Sequence, residues 1–290
     1  MHISELVRYG ISELTAAGVP DCTSDVYLLL GRCLGKSRTQ LLIAAGEDVP
    51  GAAELLFKEL LDRRRQREPL AYILGEQEFW SRSFVVTPSV LIPRPETEFL
   101  LETALKCIRN DPSFPEGAVL DLCCGSGVIA SILALELRRK VIAVDLSAEA
   151  LAVTRINCLR HGVDDAVCLL QSDLLSALKP HGKVSLVVSN PPYVSTYAVQ
   201  NEVEPEVGEY EPLLALDGGE KGLDLIARIR EELPLVLAPG GGLFMEIGYD
   251  QGQAVAEMFS APRQGLRDFT HIMILKDYAD RDRVLHARIC

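Results

Sequence analysis

The sequence lacks an uninterrupted apolar run of about 18 residues, the least that a helix needs to cross a bilayer. It also lacks a basic segment followed by an apolar one at its start, Met1-His2-Ile3-Ser4-Glu5, so neither a membrane span nor an export signal is expected and the chain reads as cytoplasmic. Positive charge is scarce: 29 Lys and Arg stand against 41 Asp and Glu, a formal net charge of -12. That balance argues against broad attraction to nucleic acid or to an anionic membrane, and leaves room only for a local basic groove. The eight cysteines (Cys22, Cys33, Cys107, Cys123, Cys124, Cys158, Cys168 and Cys290) include no C-x-x-C pair. They are scattered through segments that read as helix or strand, which suits reduced thiols. No His/Cys or His/Glu cluster has zinc spacing, and no metal is expected. Internal repeats and low-complexity segments are absent too.

What is present is a large apolar fraction, 48% of 290 residues, enough for a sizeable core. The length exceeds a typical domain of about 150 residues, so one large domain plus a small one is expected. From Ile3 the apolar positions Ile3, Leu6, Val7, Ile11 and Leu14 recur three or four apart, the spacing of a buried helical stripe. Stretches 26–34, 40–45 and 52–67 continue in that style, broken at Gly35, Gly46 and Pro50-Gly51. Residues 1–75 therefore read as a small helical bundle. Its basic cluster Arg63-Arg64-Arg65-Gln66-Arg67 reads first as a solvated helix end, where cations favour the C-terminal dipole, and second as a partner contact. Phe79, Trp80, Phe84 and Val85 around a polar centre suggest a short hairpin over 77–86, within a linker of 76–90. In Leu91-Ile92-Pro93-Arg94-Pro95-Glu96-Thr97-Glu98 the prolines stop a strand, and Pro95 can open a helix whose first turn carries two carboxylates.

From Ala118 strand and helix alternate: strands over 119–122, 141–144, 166–170 and 184–188, with helices reaching Arg139 and His161 between them. This predicts an α/β fold, a doubly wound, Rossmann-like parallel sheet. After a long loop come a helix over 223–237, a strand over 243–247, a helix over 251–259 and two apolar segments over 270–275 and 284–289.

Asp121-Leu122-Cys123-Cys124-Gly125-Ser126-Gly127 lies where the first strand turns into the first helix, the ligand end of such sheets. Glycines there let backbone N–H groups approach a ligand, and the helix amino end favours an anionic group. Asp145 ends the second strand 18 positions past Gly127, close to the spacing of an acid that holds ribose hydroxyls. Gly125-x-Gly127-x-x-Ala130 also fits a loose dinucleotide pattern, so a nicotinamide dehydrogenase is a rival at this point.

The fourth strand separates the two. Ser189-Asn190-Pro191-Pro192-Tyr193 ends it in a rigid turn whose carbonyls have no ladder partner. Asn190 adds an acceptor and two donors, and Tyr193 an aromatic face, a set that suits a planar NH2 group. A dehydrogenase has no evident use for that cradle; a methyltransferase needs one facing a sulfonium methyl, so S-adenosyl-L-methionine is the expected cofactor. Asp173 is placed to accept from the adenine amino group with Leu174 packing on the ring, although a turn or cap Asp would look alike.

On these residues the chain resembles the peptide chain release factor glutamine methyltransferases (the PrmC/HemK type). The likeness rests on five stretches: 91–98, 121–127, 190–193, Tyr210-Glu211-Pro212 with Ala215-Leu216, and Asp217-Gly218-Gly219 with Gly222-Leu223. It implies a class I methyltransferase domain over 91–290 behind a helical substrate-recognition domain over 1–75. It also implies methylation of the glutamine side-chain nitrogen (N5) in the Gly-Gly-Gln loop of release factors. Asp121, Cys123, Cys124, Gly125, Ser126, Gly127, Asp145, Asp173, Leu174 and Asn190 would bind the donor. Asn190, Pro191, Pro192 and Tyr193 would hold the acceptor, with Asn190, Pro191 and Tyr193 serving catalysis. Two positions depart from the family pattern: Cys123 stands at the first glycine of the loop, and Leu174 where some relatives have an aromatic, which weakens adenine stacking. The cradle also suits an exocyclic amino group of a DNA or RNA base. Against that reading, the loop after it is acidic, at Glu202, Glu204, Glu206, Glu209 and Glu211, where a nucleic-acid enzyme would carry a basic stripe with aromatics. The plainer reading of those acids is a solvated surface lid. A non-catalytic donor-binding regulator would have no need of Asn190.

Overall fold

The computed structural model describes every residue except His181, Arg263 and Leu266. The chain divides into two compact units, one of residues 1–76 with 204–210, the other of residues 77–203 with 211–290.

The first unit is built from α1 (Ile3–Ala16), α2 (Cys22–Leu34), α3 (Arg38–Ile43), α4 (Gly51–Arg65) and α5 (Leu70–Leu74). The spacing read from Ile3 is realised, with Ile3, Leu6, Val7 and Leu14 buried and Ile11 partly so. They meet Val26, Leu29, Leu30, Leu41, Phe57, Leu60 and Leu61 in one core. Helix α3 starts at a capping box, in which Ser37 N donates to Gln40 Oε1 at 2.7 Å and Gln40 N donates back to Ser37 Oγ at 3.3 Å.

The basic cluster departs from a purely solvated helix end. Arg64 is only 5% exposed, and its guanidinium donates to Asp25 at 2.7 Å, to Glu206 at 3.0 Å and to the Glu68 carbonyl at 3.1 Å. Arg67 makes a two-pronged pair with the same Glu206, at 2.8 and 2.6 Å. Arg is suited to this because its planar fork serves several acceptors at once and it stays charged when buried. The acidic stretch is accordingly no uniform lid: Glu206 is taken up by arginines of the helical unit, while Glu211 lies in the second unit.

The second unit opens with a two-stranded ribbon, β1 (Glu76–Phe79) and β2 (Arg82–Val85), then α6 (Pro95–Asn110), which has proline in its first turn as its sequence requires. There follow β3 (Ala118–Leu122), α7 (Val128–Leu137), β4 (Val141–Asp145), α8 (Ala148–His161), β5 (Val167–Gln171) and β6 (Val184–Ser189). Two short helices, α9 (Thr196–Asn201) and α10 (Pro205–Tyr210), and a 3-10 turn (Leu213–Ala215) occupy the region read as a long loop, with α10 inside the first unit's segment. The chain ends with α11 (Asp224–Val236), β7 (Leu237–Glu246), α12 (Gly252–Ser260), β8 (Phe269–Lys276) and β9 (Asp282–Ile289).

Seven strands form one sheet in the order β5-β4-β3-β6-β7-β9-β8. The first five in that order run parallel, and β9 pairs antiparallel with both β7 and β8. Because strand side chains alternate between faces, Leu186 and Val188 join Leu100, Leu101, Ile129 and Leu133 on one face. Val187 joins Ile226, Ile229, Leu233 and Val255 on the other. Every residue of β6 is buried, as a central strand covered by helices on both sides should be. Strand order reverses between β3 and its two neighbours β4 and β6, which opens a crevice beyond their carboxyl ends.

Replacing Arg64 by Ala would strand the carboxylate of Asp25 and leave Glu206 with Arg67 alone. Arg64→Ala is expected to lower stability by about 3 kcal/mol, the scale for removing one partner of a buried ion pair. Urea unfolding monitored by circular dichroism reads this; a loss under about 1 kcal/mol, the size of a surface pair, would show that the cluster is hydrated.

Candidate active site

A cavity of about 460 Å³ lies at that crevice, walled by the residues just past the ends of the parallel strands. Leu122 to Ser126 come at the end of β3, Asp145 and Leu146 at the end of β4, Ser172 to Leu174 after β5, and Asn190 and Pro192 after β6. Val90, Pro93, Arg94 and Thr97 close one side, and Pro212, Leu214 and Asp217 another.

The glycine loop is shaped by polar contacts. Gly125 N donates to Asp145 Oδ2 at 2.8 Å, Ser147 N donates to Asp145 Oδ1 at 2.9 Å, and the Gly125 carbonyl accepts from Thr154 Oγ1 at 2.8 Å. These two contacts leave acceptor positions of the Asp145 carboxyl uncommitted. Burial raises its carboxyl, while the N–H groups of Ser147, Gly125 and Leu146 oppose that rise. Asn157, fully buried, donates to the carbonyls of Ser126 and Val85 and accepts from Val85 N, tying the loop to β2. Gly127 has φ +76°, and a Cβ there would lie 2.4 Å from the Thr154 side chain, so this glycine is demanded by packing of α7 on α8.

Past β6, Asn190 Nδ2 donates to Thr97 Oγ1 at 3.0 Å, Thr97 Oγ1 donates to Glu246 Oε2 at 2.8 Å, and the Tyr193 hydroxyl donates to Glu246 Oε1 at 2.9 Å. Burial pushes the Tyr193 phenol up, with the Glu246 charge adding to it, so the hydroxyl keeps its proton. Glu211, also buried, accepts from Ile92 N at 3.2 Å and from the Arg94 guanidinium, and so fixes the chain before α6 against the segment after α10. The Asp217-to-Gly222 stretch supports the turn from behind. Gln251 Nε2 donates to the Tyr193 carbonyl at 2.9 Å and to the Gly222 carbonyl at 3.2 Å. A Cβ on Gly222 would fall 2.0 Å from the Tyr193 carbonyl oxygen.

The cavity at the switch point thus has the glycine loop and Asp145 on one wall and Asn190 and Pro192 on another, and known proteins share the sequence frame that builds it. Residues 5–75 match the PrmC N-terminal domain model and residues 96–209 the methyltransferase small domain model. A release factor glutamine methyltransferase from Nitratidesulfovibrio vulgaris is 39% identical over 285 residues, covering 98% of this chain and 94% of that one. One from Koribacter versatilis is 37% identical over 289 residues, covering 99% of each. The chain belongs to the release factor glutamine methyltransferase family. A methyltransferase from Pyrococcus furiosus of known structure shares the fold, with a TM-score of 0.53 and 16% identity over 78% of this chain and 98% of that one. The chain is thus a methyltransferase, and its methyl donor is S-adenosyl-L-methionine. Among the described residues no helix is long and apolar enough to cross a membrane.

Of the residues expected at the methyltransferase site, Cys123, Cys124, Gly125, Ser126, Asp145, Asp173, Leu174, Asn190 and Pro192 line the cavity together. Asp121, Gly127, Pro191 and Tyr193 are adjacent in the chain to residues that line it but are not themselves lining residues. Asp121 is wholly buried and accepts from Ala130 N at 2.8 Å, meeting a free N–H at the start of α7. Tyr193 is turned to Glu246, so the aromatic face expected over an acceptor amide does not line the cavity. Cys123 adopts φ +63°, the left-handed conformation for which a glycine is the ordinary choice. Asp173 already accepts from Arg228 at 2.8 Å, on the same wall. The sequence names Thr97 and Glu211 only within their motif stretches, Glu211 also as part of an acidic loop, with no site role for either, and passes over Glu246. The one available signal was Glu246, a lone acid closing the otherwise apolar run Leu243-Phe244-Met245.

Burial pushes the Asp121 carboxyl up to about 8, Asp145 adding to the rise and the Ala130 N–H opposing it. An unfolded Asp titrates near 4, so between about pH 4 and 8 the folded chain holds a proton that the unfolded chain has released. Asp121 therefore makes the fold less stable as pH rises through that window. Asp121→Asn keeps the acceptor for Ala130 N and cannot ionise, and its stability relative to the parent is expected to grow from pH 4 to 8 and then level. Unfolding curves over that range decide it: a difference independent of pH would mean that the buried carboxyl is ionised throughout.

Proposed function

We propose that this methyltransferase transfers a methyl group to the side-chain nitrogen, N5, of the glutamine in the Gly-Gly-Gln loop of a peptide chain release factor, in the cytoplasm. The observation that carries the reading is that Asn190 and Pro192 line the same cavity as Gly125 and Asp145, so a planar amide and a nucleoside sulfonium can be held face to face. The names of the relatives support the acceptor, and the net charge of -12 supports a protein over a nucleic acid.

The donor supplies a methyl on positively charged sulfur, which passes to the amide nitrogen as the C–S bond breaks and S-adenosylhomocysteine is left. A glutamine amide is a poor nucleophile because its lone pair is delocalised into the carbonyl. Asn190 Oδ1 accepts one N–H hydrogen, and the Pro191 carbonyl, which takes no hydrogen bond from the protein among the described residues, accepts the other. Two acceptors aim the lone pair and favour positive charge developing on nitrogen, whose surplus proton then leaves to water. Positioning and electrostatics supply the rate. Asp145, with acceptor positions to spare, holds the ribose hydroxyls; the loop of Cys123 to Gly127 approaches the donor through its backbone; Leu174 packs beside the base, with Asp173 accepting from its amino group. The helical unit recognises the folded acceptor.

Asp145→Ala is expected to weaken donor binding by roughly 1.5 to 3 kcal/mol through the loss of charge-assisted hydrogen bonds, measured by titration; unchanged affinity would remove Asp145 from the ribose site. For the acceptor, the enzyme is incubated with labelled donor and, separately, purified release factor, its Gln→Ala loop variant and duplex DNA. Label on the parent release factor alone is expected. Label on DNA, or equal label on the variant, would refute the assignment.

A further inference from the structure

An asparagine amide is nearly symmetric in shape, so a pocket that needs its oxygen must also prevent the group from turning over. Asn190 Oδ1 takes no hydrogen bond from the protein among the described residues, and Nδ2 has one partner, Thr97 Oγ1 at 3.0 Å. Thr97 is 3% exposed and Glu246 is 1% exposed. The hydroxyl of Thr97 and that of Tyr193 each have one acceptor among the described residues, and it is the same group, at 2.8 Å on one oxygen of Glu246 and 2.9 Å on the other.

These contacts favour one arrangement of the protons. A hydroxyl has one proton to give. Burial raises the Glu246 carboxyl, while the Thr97 and Tyr193 hydroxyls and the Arg283 charge oppose that rise; if both hydroxyls give their protons to Glu246, its carboxyl accepts at both oxygens. Thr97 Oγ1, its proton spent, can then only accept, and the neighbouring Asn190 must present Nδ2 to it. The oxygen of Asn190 is left for the acceptor. An acceptor-only terminus thus gives the whole chain Asn190, Thr97, Glu246 a single direction.

We propose that Glu246 is a positioning residue for methyl transfer: acting through Thr97, it fixes the Asn190 amide with Oδ1 available to the substrate amide. The proposal rests on the role given above to Asn190. In Glu246→Gln the new NH2 can donate to Thr97 Oγ1, which frees the Thr97 proton to point at Asn190 and lets that amide turn over. An NH2 would then face the NH2 of the acceptor, donor against donor. Thr97→Val keeps the shape of the side chain and deletes the link.

The test is single-turnover methylation of release factor at saturating donor, with donor affinity and thermal midpoint measured on the same preparations. Glu246→Gln and Thr97→Val are each expected to slow transfer by about tenfold to a hundredfold, the scale of a misplaced reacting group, with donor affinity within about twofold. Thr97→Ser, which keeps the hydroxyl, should recover most of the rate lost in Thr97→Val. The double variant Glu246→Gln/Thr97→Val should be no slower than the slower single one, because both break the same chain. Parent rates in both single variants alongside an inactive Asn190→Ala would overturn the proposal and leave the role of Asn190 standing. An active Asn190→Ala would overturn both. Equal loss in the Ser and Val variants, or additive losses in the double variant, would indicate packing and also overturn it. Should Glu246→Gln fail to fold, the Thr97 pair carries the test alone.

Discussion

Parallel strands that end at one level leave backbone groups beyond their last ladder bonds, and something other than the sheet has to satisfy them. In this chain the residues past β3, β4, β5 and β6 solve that problem in different ways, and their differences make the site. Past β3 the loop lends an N–H to Asp145 and a carbonyl to Thr154. Past β6 two prolines bring no N–H at all, so that end of the sheet offers carbonyl oxygen without competing donors. One end of a single sheet therefore carries a surface suited to hydroxyls beside a surface suited to an NH2 group.

Four carboxyls lie in or beside this end, each compensated differently. Glu246 receives two hydroxyls, Glu211 an N–H and a guanidinium, Asp145 two N–H groups, whereas Asp121 has one N–H and an oxygen without a partner among the described residues. Burying a carboxylate costs less as its oxygens are met, and Asp121, the least satisfied of the four, is the one whose carboxyl is held near 8. Rigidity is what these contacts supply to the cavity: Glu211 and Glu246 each join segments more than 100 positions apart, 119 between Ile92 and Glu211 and 149 between Thr97 and Glu246.

Those separations also mark where the sequence stops being legible. Strands β3, β4 and β6 and the residues just beyond them could be read because an apolar run and the turn that ends it are neighbours in the chain. Asn190, Asp145 and Gly125 were accessible for the same reason. Thr97 and Glu246 were not: each looks ordinary in its own segment, a helix-start threonine and a strand-end acid, and their meaning arises only when α6 is laid against β7. Arg64 misled for the complementary reason, since a run of four arginines reads as solvated until Asp25 and Glu206, 39 and 142 positions away, are found around one of them. Tyr193 was read as a stacking face because its ring is what a sequence displays, whereas its hydroxyl found the deeper partner.

The excursion of residues 204–210 into the helical unit has a consequence for how such a chain can be divided. A gene segment ending at residue 76 would encode Arg64 and Arg67 without Glu206, and one beginning at residue 77 would encode Glu206 without either arginine. Neither half is a self-sufficient module in the sense of modern fusion cloning or of exchange between genes, although each has its own core. A swap that respects the linear boundary cuts through a buried ion pair.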